Sequence, residues 1–99
     1  MKRVMVRYKV KPDRAGENEE LVHAVYEELR RTQPAGLRYA TFQLDDGVSF
    51  VHLASIETED GHNPLSEVKA FGEFQKDIGD RLDGAPVVSE PREIGSYRF

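Results

Sequence analysis

The chain has 99 residues, of which 38% are hydrophobic and 32% charged, and its formal net charge is −4. This balance predicts a single globular domain over residues 1–99, and it argues against general nucleic-acid binding because phosphate neutralisation needs a basic face. The sequence contains no cysteine, which excludes disulfides, thiolate metal sites and cysteine nucleophiles. No apolar run is long enough to cross a bilayer, and none resembling a signal peptide follows Met1, so we expect a cytoplasmic protein with no membrane partner.

The first third of the chain predicts a strand followed by a helix. Arg3–Val10 alternates with a period of two, as a half-buried strand does. Its apolar face consists of Val4, Val6, Tyr8 and Val10. Glu17–Arg31 repeats apolar residues at helical spacing, and Pro34 cannot continue the helix. The apolar stripe of this helix consists of Leu21, Val22, Val25, Tyr26 and Leu29.

Leu37–Ile56 predicts a hairpin whose register depends on the length of its turn. We interpret Asp45–Gly47 as a three-residue loop with the glycine in the left-handed region, so that Phe42 faces Phe50. A two-residue turn would shift this register by one. We prefer the longer loop because it gathers the large apolar residues on one face. That face, toward the helices, consists of Arg38, Ala40, Phe42, Leu44, Val48, Phe50, His52, Ala54 and Ile56.

Pro64–Leu82 predicts a second helix, and Val87–Phe99 predicts a last strand. Gly72 and Gly79 lie on one face of this helix, and each costs about 1 kcal/mol relative to alanine. The two glycines indicate that the helix approaches another backbone closely, that a hollow beside it is unfilled, or that the helix frays after Asp77. The element order is βαββαβ, the ferredoxin-like plan of the α+β class: a four-stranded antiparallel sheet with two helices on one face.

The sheet face opposite the helices is expected to be half apolar. Its apolar members are Met5, Leu37, Tyr39, Val51 and Leu53. An apolar patch of this kind on a small protein usually marks a contact surface, so we expect a two-fold homodimer packed sheet to sheet. Scattered exposed apolar residues, which are normal on protein surfaces, are the alternative.

Over nearly its whole length, the chain resembles the antibiotic biosynthesis monooxygenase-like domains of the dimeric α+β barrel superfamily. The resemblance rests on the element order, the Asp45–Gly47 hairpin, the strand Phe50–Ala54, the helix start Asn63–Leu65 and the aromatic segment Ala70–Phe74. It implies a homodimer with a hydrophobic cavity between sheet and helices in each subunit. Related domains include cofactor-independent oxygenases of electron-rich aromatic compounds and haem-degrading oxygenases. No tryptophan is present, so the asparagine, tryptophan and histidine pattern of the haem-degrading members does not carry over, and no cofactor is predicted.

His52 is the most informative titratable residue. On an apolar face it should be partly desolvated, which lowers its pKa and keeps it a neutral base. Arg38 on the same predicted face could hold an anionic substrate oxygen, and the two together would suit proton abstraction from a phenol. A satisfied core histidine and an arginine that extends to solvent are the alternative. The aromatic residues that could line a substrate cavity, or simply form core, are Tyr8, Tyr26, Phe42, Phe50, Phe71 and Phe74.

The other histidines are weaker candidates. His23 falls among charged residues on the polar side of the first predicted helix, and His62 follows an acidic loop whose spacing matches no metal motif. We therefore predict no metal site. The sequence supports two functions. One is a cofactor-independent monooxygenase acting on a small hydrophobic aromatic or polyketide-like compound, and the other is a non-catalytic dimeric module that binds a small ligand or partner or is structural.

Overall fold

The computed structural model describes all of residues 1–99. Its strands are β1 (Lys2–Lys9), β2 (Leu37–Gln43), β3 (Ser49–Ile56) and β4 (Val87–Ser89). Its α-helices are α1 (Ala15–Thr32), α2 (Lys69–Gln75) and α3 (Ile78–Arg81), and short 3-10 turns cover Pro12–Arg14 and Pro64–Glu67. The strands pair antiparallel in the order β2-β3-β1-β4, with the helices on one face of the sheet. The ferredoxin-like α+β fold is therefore confirmed.

The hydrophobic core lies between the sheet and the helices. Because successive residues of a strand point to opposite faces, β1 and β3 each bury one row of side chains against the helices. The buried cluster consists of Tyr8, Val10, Val25, Phe50, Leu65, Val68 and Phe74. No helix of the chain is long and apolar enough to span a membrane.

The predicted register of the β2–β3 hairpin is wrong by one residue. Phe42 pairs with Val51 rather than with Phe50. The shift carries Arg38 and Phe42 to the sheet face away from the helices, because a one-residue slip turns every side chain over. Phe42 is 48% exposed on that open face. In exchange, the helix-facing row of β2 consists of Leu37, Tyr39 and Thr41.

Hydrogen bonds in the turn explain this register. The connection is a four-residue loop, Asp45–Val48, bounded by a hydrogen bond of 2.8 Å from Leu44 N to Ser49 O. Asp46 Oδ1 accepts from the backbone N–H groups of Val48 and Ser49 at 2.9 and 2.8 Å, and Oδ2 accepts from the Ser49 hydroxyl at 2.6 Å. These bonds lower the pKa of Asp46 to about 2. In this register the polar groups of the loop pair with one another, although the pattern of apolar residues favoured the neighbouring register.

The predicted second helix is divided into three parts: the 3-10 turn Pro64–Glu67, then α2, then α3. The break between α2 and α3 lies at Lys76 and Asp77, where Asp77 adopts the left-handed conformation with φ 56°. Gly72 and Gly79 face open space, since a methyl group at either position would meet no other atom within 4 Å. The prediction that the glycines approach another backbone closely is therefore wrong. The helix is instead interrupted near Asp77.

The last strand is shorter than predicted. Only Val87–Ser89 pairs with β1, and residues 90–99 continue without regular secondary structure. Pro91 has no N–H group to donate to a strand ladder, which limits the strand at this point. An ion pair of 3.5 Å between Arg3 Nη2 and Glu93 Oε1 joins this segment to β1.

Candidate functional site

A cavity of about 500 Å³ lies between the helix-facing side of the sheet and the segment that contains α2 and α3. Of its 16 lining residues 12 are hydrophobic, and none is an aspartate, glutamate, lysine or arginine. The polar side chains on its wall are Tyr8, Tyr39, His52, Asn63 and Gln75. A hollow of this size, with few polar groups on an apolar wall, is typical of a small-molecule site.

The local sequence explains why this space is not filled. On the sheet, the cavity wall includes Val6 and Ala54, whose short side chains leave room above β1 and β3. On the opposite side, the break at Asp77 divides the wall between Phe74 of α2 and Ile78 of α3. Short residues on one wall and an interrupted helix on the other therefore leave the hollow beside His52.

His52 lines the cavity and has both ring nitrogens within hydrogen-bond distance of hydroxyl groups. Nε2 lies 2.7 Å from the Tyr8 hydroxyl, while Nδ1 lies 2.5 Å from the Tyr39 hydroxyl and 3.2 Å from Thr41 Oγ1. The residue is 6% exposed, and burial lowers the pKa of the imidazole to about 4. The predicted desolvation is confirmed. A neutral imidazole donates from one nitrogen and accepts at the other.

The hydrogen bonds continue from Tyr8 into the interior. Asn18 Nδ2 donates to the Tyr8 hydroxyl at 2.9 Å, and Arg81 Nε donates to Asn18 Oδ1 at 3.2 Å. Arg81 Nη2 donates to the Phe74 carbonyl at 2.7 Å, and the guanidinium lies 5.4 Å from the centre of the Phe74 ring. Asn18 and Arg81 are 0% and 2% exposed. We call Arg81, Asn18, Tyr8 and His52 the polar network.

Sequence reasoning missed Asn18 and Arg81, although a signal was present. Asn18 lies seven residues before Val25, on the apolar stripe of α1, and Arg81 lies seven residues after Phe74. A polar residue on an apolar helical stripe is expected to be buried and to need a partner. This spacing identifies the two residues as buried but does not reveal that they bind each other.

Tyr39 occupies a place on the cavity wall, although the predicted register put it on the open face. Its ring stacks on Tyr26, with ring centres 5.4 Å apart and planes inclined by 13°. The Tyr26 hydroxyl lies 2.8 Å from Thr41 Oγ1. Burial raises the pKa of Tyr26 and Tyr39, and raises that of Tyr8 to about 12. All three phenols therefore keep their protons at neutral pH and can donate hydrogen bonds.

Four predicted site residues meet at the cavity. His52, Tyr8, Phe71 and Phe74 all line it. Phe50 lies in the core, where its ring stacks on Tyr8 with centres 5.6 Å apart. Tyr26 approaches the cavity only through its contacts with Tyr39 and Thr41.

The expected position of Arg38 and Phe42 on the same face as His52 is wrong. Both lie on the open sheet face, where they border a separate depression together with Arg3 and Arg92. The physical reason is the one-residue register shift, which inverts the orientation of every β2 side chain. No guanidinium therefore lines the cavity that holds His52.

The remaining histidines contact single carboxylates. His23 Nε2 lies 3.3 Å from Glu19 Oε2, and His62 Nε2 lies 3.5 Å from Glu67 Oε2. Nowhere in residues 1–99 do three or more histidine, aspartate or glutamate side chains form a group that could hold a metal ion.

Solved structures share this fold. A protein from Nitrosomonas europaea described as a "putative antibiotic biosynthesis monooxygenase" is 17% identical with a TM-score of 0.75, and the match covers 96% of this chain and 100% of that one. A protein of the same description from Bacteriodes thetaiotaomicron VPI-5482 is 13% identical with a TM-score of 0.78, covering 94% and 89% of the two chains.

The same fold also occurs in NE2512, a protein of unknown function from Nitrosomonas europaea. It is 10% identical with a TM-score of 0.71, and the match covers 96% of this chain and 90% of that one. No family model and no curated protein matches the sequence. The chain shares its fold with proteins described as "putative antibiotic biosynthesis monooxygenase" and with a protein of unknown function, and a fold of this kind can host many activities.

Proposed function

We propose that the protein is a cofactor-independent monooxygenase that acts on a small, uncharged aromatic or polyketide-like compound bound beside His52. The observation that carries this proposal is an apolar cavity of about 500 Å³ whose wall includes a desolvated imidazole and two phenols. The fold shared with proteins described as "putative antibiotic biosynthesis monooxygenase" supports the reaction class.

In this reaction dioxygen is the oxidant and the substrate supplies the electrons. An activated methylene group next to an aromatic ring becomes a carbonyl. Two C–H bonds break, one atom of dioxygen forms the C=O bond, and the other atom leaves as water with the two hydrogens. The balance needs no external reductant. The role of the protein is to exclude water and to stabilise negative charge that develops on a substrate oxygen.

The cavity wall indicates which substrates it accepts. No side chain of fixed charge lies on it, and Arg38 is on the other side of the sheet. Burying an ionic ligand without a counter-charge is costly, so an uncharged ligand is favoured. The polar groups nearest such a ligand are the hydroxyls of Tyr8 and Tyr39 and the imidazole of His52, and a phenol among them can donate to a developing oxyanion.

Oxidation of anthrone to anthraquinone tests the proposal, because anthrone is an uncharged tricycle with an activated methylene. We expect the protein to accelerate oxygen uptake and to transfer label from ¹⁸O₂ to the new carbonyl. Ala54→Phe, which fills the cavity, should reduce the rate at least about tenfold. Ala24→Phe on the exposed face of α1 is the matched control and should leave the rate unchanged. Equal oxygen uptake with and without the protein would contradict the proposal.

A non-catalytic ligand-binding module is the second candidate function. The observation that favours it is that both ring nitrogens of His52 already have partners, so neither presents a free lone pair to a ligand. Thermal stabilisation of the protein by anthraquinone, without oxygen uptake when anthrone is supplied, would identify this function.

We propose in addition that the protein forms a two-fold homodimer through the open sheet face. Leu37 and Tyr39 do not contribute to this face, but the corrected register brings Phe42 onto it. The apolar residues of the open face are Met5, Ala40, Phe42, Val51, Leu53 and Val87. An apolar patch on the sheet face away from the helices supports a contact surface.

A further inference from the structure

We propose that Tyr39, rather than His52, donates the hydrogen bond that holds a ligand in the cavity. Arg81 determines which nitrogen of His52 carries the proton, because it orients Asn18, which in turn orients the hydroxyl of Tyr8. The ligand is then an uncharged hydrophobic molecule with an acceptor oxygen, such as an aromatic ketone. The role of Tyr39 rests on the proposed function because it requires a ligand, whereas the direction of the polar network can be tested without one.

Arg81 determines the orientation of the Asn18 amide. A guanidinium can only donate hydrogen bonds, so the atom of Asn18 that lies 3.2 Å from Arg81 Nε must be the carbonyl oxygen. The amide nitrogen of Asn18 then points to the Tyr8 hydroxyl at 2.9 Å. Because that nitrogen can only donate, Tyr8 Oη is an acceptor in this bond.

The next bond determines which nitrogen of His52 carries the proton. Apart from Asn18, the only polar partner of the Tyr8 hydroxyl is His52 Nε2 at 2.7 Å. If Tyr8 donates its hydrogen to Nε2, the imidazole proton lies on Nδ1. Nδ1 then donates to the hydroxyl oxygen of Tyr39 at 2.5 Å, with Thr41 Oγ1 nearby at 3.2 Å.

The opposite tautomer leaves a worse arrangement. With the proton on Nε2, both Asn18 and His52 would donate to Tyr8, and the hydrogen of the Tyr8 hydroxyl would have no acceptor. Tyr8 is only 5% exposed, so this unpaired donor would be buried. In the Nδ1 tautomer the hydrogen left to a ligand is that of Tyr39, which lines the same cavity as Tyr8 but is only half-buried.

The hydrogen of the Tyr39 hydroxyl is therefore available to a ligand. Its oxygen accepts from His52, and the neighbouring acceptor is the Thr41 hydroxyl, which also pairs with Tyr26 at 2.8 Å and which a ligand oxygen would replace. A donor on an otherwise apolar wall selects a ligand that offers an acceptor oxygen. Accepting a bond from His52 also polarises the Tyr39 hydroxyl and strengthens the bond that it donates.

Asn18→Asp tests the direction of the polar network. The new carboxylate keeps Arg81 as its partner but can only accept, so Tyr8 must donate to it and turn its hydrogen away from His52. We expect ¹⁵N NMR of ligand-free protein to place the His52 proton on Nδ1 in the wild type and on Nε2 in Asn18→Asp. Ala24→Asp adds the same charge on the exposed face of α1 and should leave the proton on Nδ1. A wild-type proton on Nε2, or no change in Asn18→Asp, overturns the assignment.

The pair 9-fluorenone and fluorene tests the role of Tyr39, because the two tricycles differ by one ketone oxygen. We expect the wild type to bind fluorenone about tenfold more tightly, which is the size of one ordinary hydrogen bond. Tyr39→Phe and Asn18→Asp should both bring the two affinities close to equality. Tyr97→Phe is the matched control, since it removes an exposed phenol that neither lines the cavity nor contacts Tyr39, and it should keep the preference.

The outcomes separate this inference from the proposed function. If fluorenone binds more tightly than fluorene and Tyr39→Phe keeps the preference, Tyr39 is not the donor, although the cavity does bind ligands. Equal binding of the two probes by the wild type also overturns the role of Tyr39. If neither probe binds, the proposed ligand site fails together with the role of Tyr39, and the NMR result alone decides the direction of the polar network.

Discussion

His52 couples the stability of the fold to pH. Burial lowers its pKa from the ordinary 6.5 to about 4. As the pH falls below 6.5, the ring in the unfolded chain takes up a proton, whereas the folded ring resists protonation until about pH 4. The unfolded state therefore binds more protons in this range, so the stability from His52 is complete above pH 6.5 and is lost as the pH falls toward 4.

When the pH is lowered from 7 to 5, proton uptake by His52 in the unfolded chain should lower the free energy of unfolding by about 2 kcal/mol. Urea unfolding at the two pH values measures the change. His52→Gln should remove most of the pH dependence in this range, while His23→Gln on the exposed face of α1 should retain it. The carboxylate of Asp46 contributes only at lower pH, since its pKa is lowered from 3.8 to about 2. Equal pH dependence in the wild type and His52→Gln would contradict the assignment.

Two glycines show how the same substitution acts oppositely in different elements. Gly47 in the β2–β3 loop has φ 77°, and Gly72 in α2 has a helical conformation, while neither has an atom near the position of an added methyl group. Gly47→Ala should therefore destabilise the protein by about 1 kcal/mol through backbone strain alone. Gly72→Ala should stabilise it by up to about 1 kcal/mol. Thermal unfolding of both variants measures the two signs, and a stabilising Gly47→Ala would disprove the left-handed turn.

Elements whose sequence pattern lies within a single segment could be predicted. The hairpin register could not, because apolar patterning and turn hydrogen bonds favoured different registers. The alternation of β1 and the apolar stripe of α1 each lie within one element, so both predictions agree with the structure. The hairpin register depended on the length of its turn. Apolar patterning favoured a three-residue loop, whereas the hydrogen bonds of Asp46 stabilise a four-residue loop, which shifts the register by one residue. The resulting error moved Tyr39 to the wrong face, and with it a central part of the candidate site.

At the scale of the whole molecule, the cavity and the polar network depend on contacts between distant segments. His52 could be singled out because its strand neighbours are apolar. The bond between Asn18 and Arg81 joins α1 to α3 across 63 positions, and no local pattern encodes it. The shape of the hollow likewise depends on how a broken helix packs over the sheet, which residue spacing does not specify. His52 could therefore be identified from the sequence, but the groups that determine which of its ring nitrogens carries the proton could not.

The open sheet face leads to a prediction about assembly. Leu53 lies at its centre, paired with Met5 on one side and Ala40 on the other. At micromolar concentration we expect sedimentation equilibrium to give twice the chain mass of 11.3 kDa. Leu53→Lys should weaken the dimer at least about a hundredfold, because a dimer would have to bury the new cation beside Arg3, Arg38 and Arg92, which border the same depression. Ala24→Lys on α1 is the control and should leave the dimer intact, whereas a wild type with the mass of one chain would disprove the assembly.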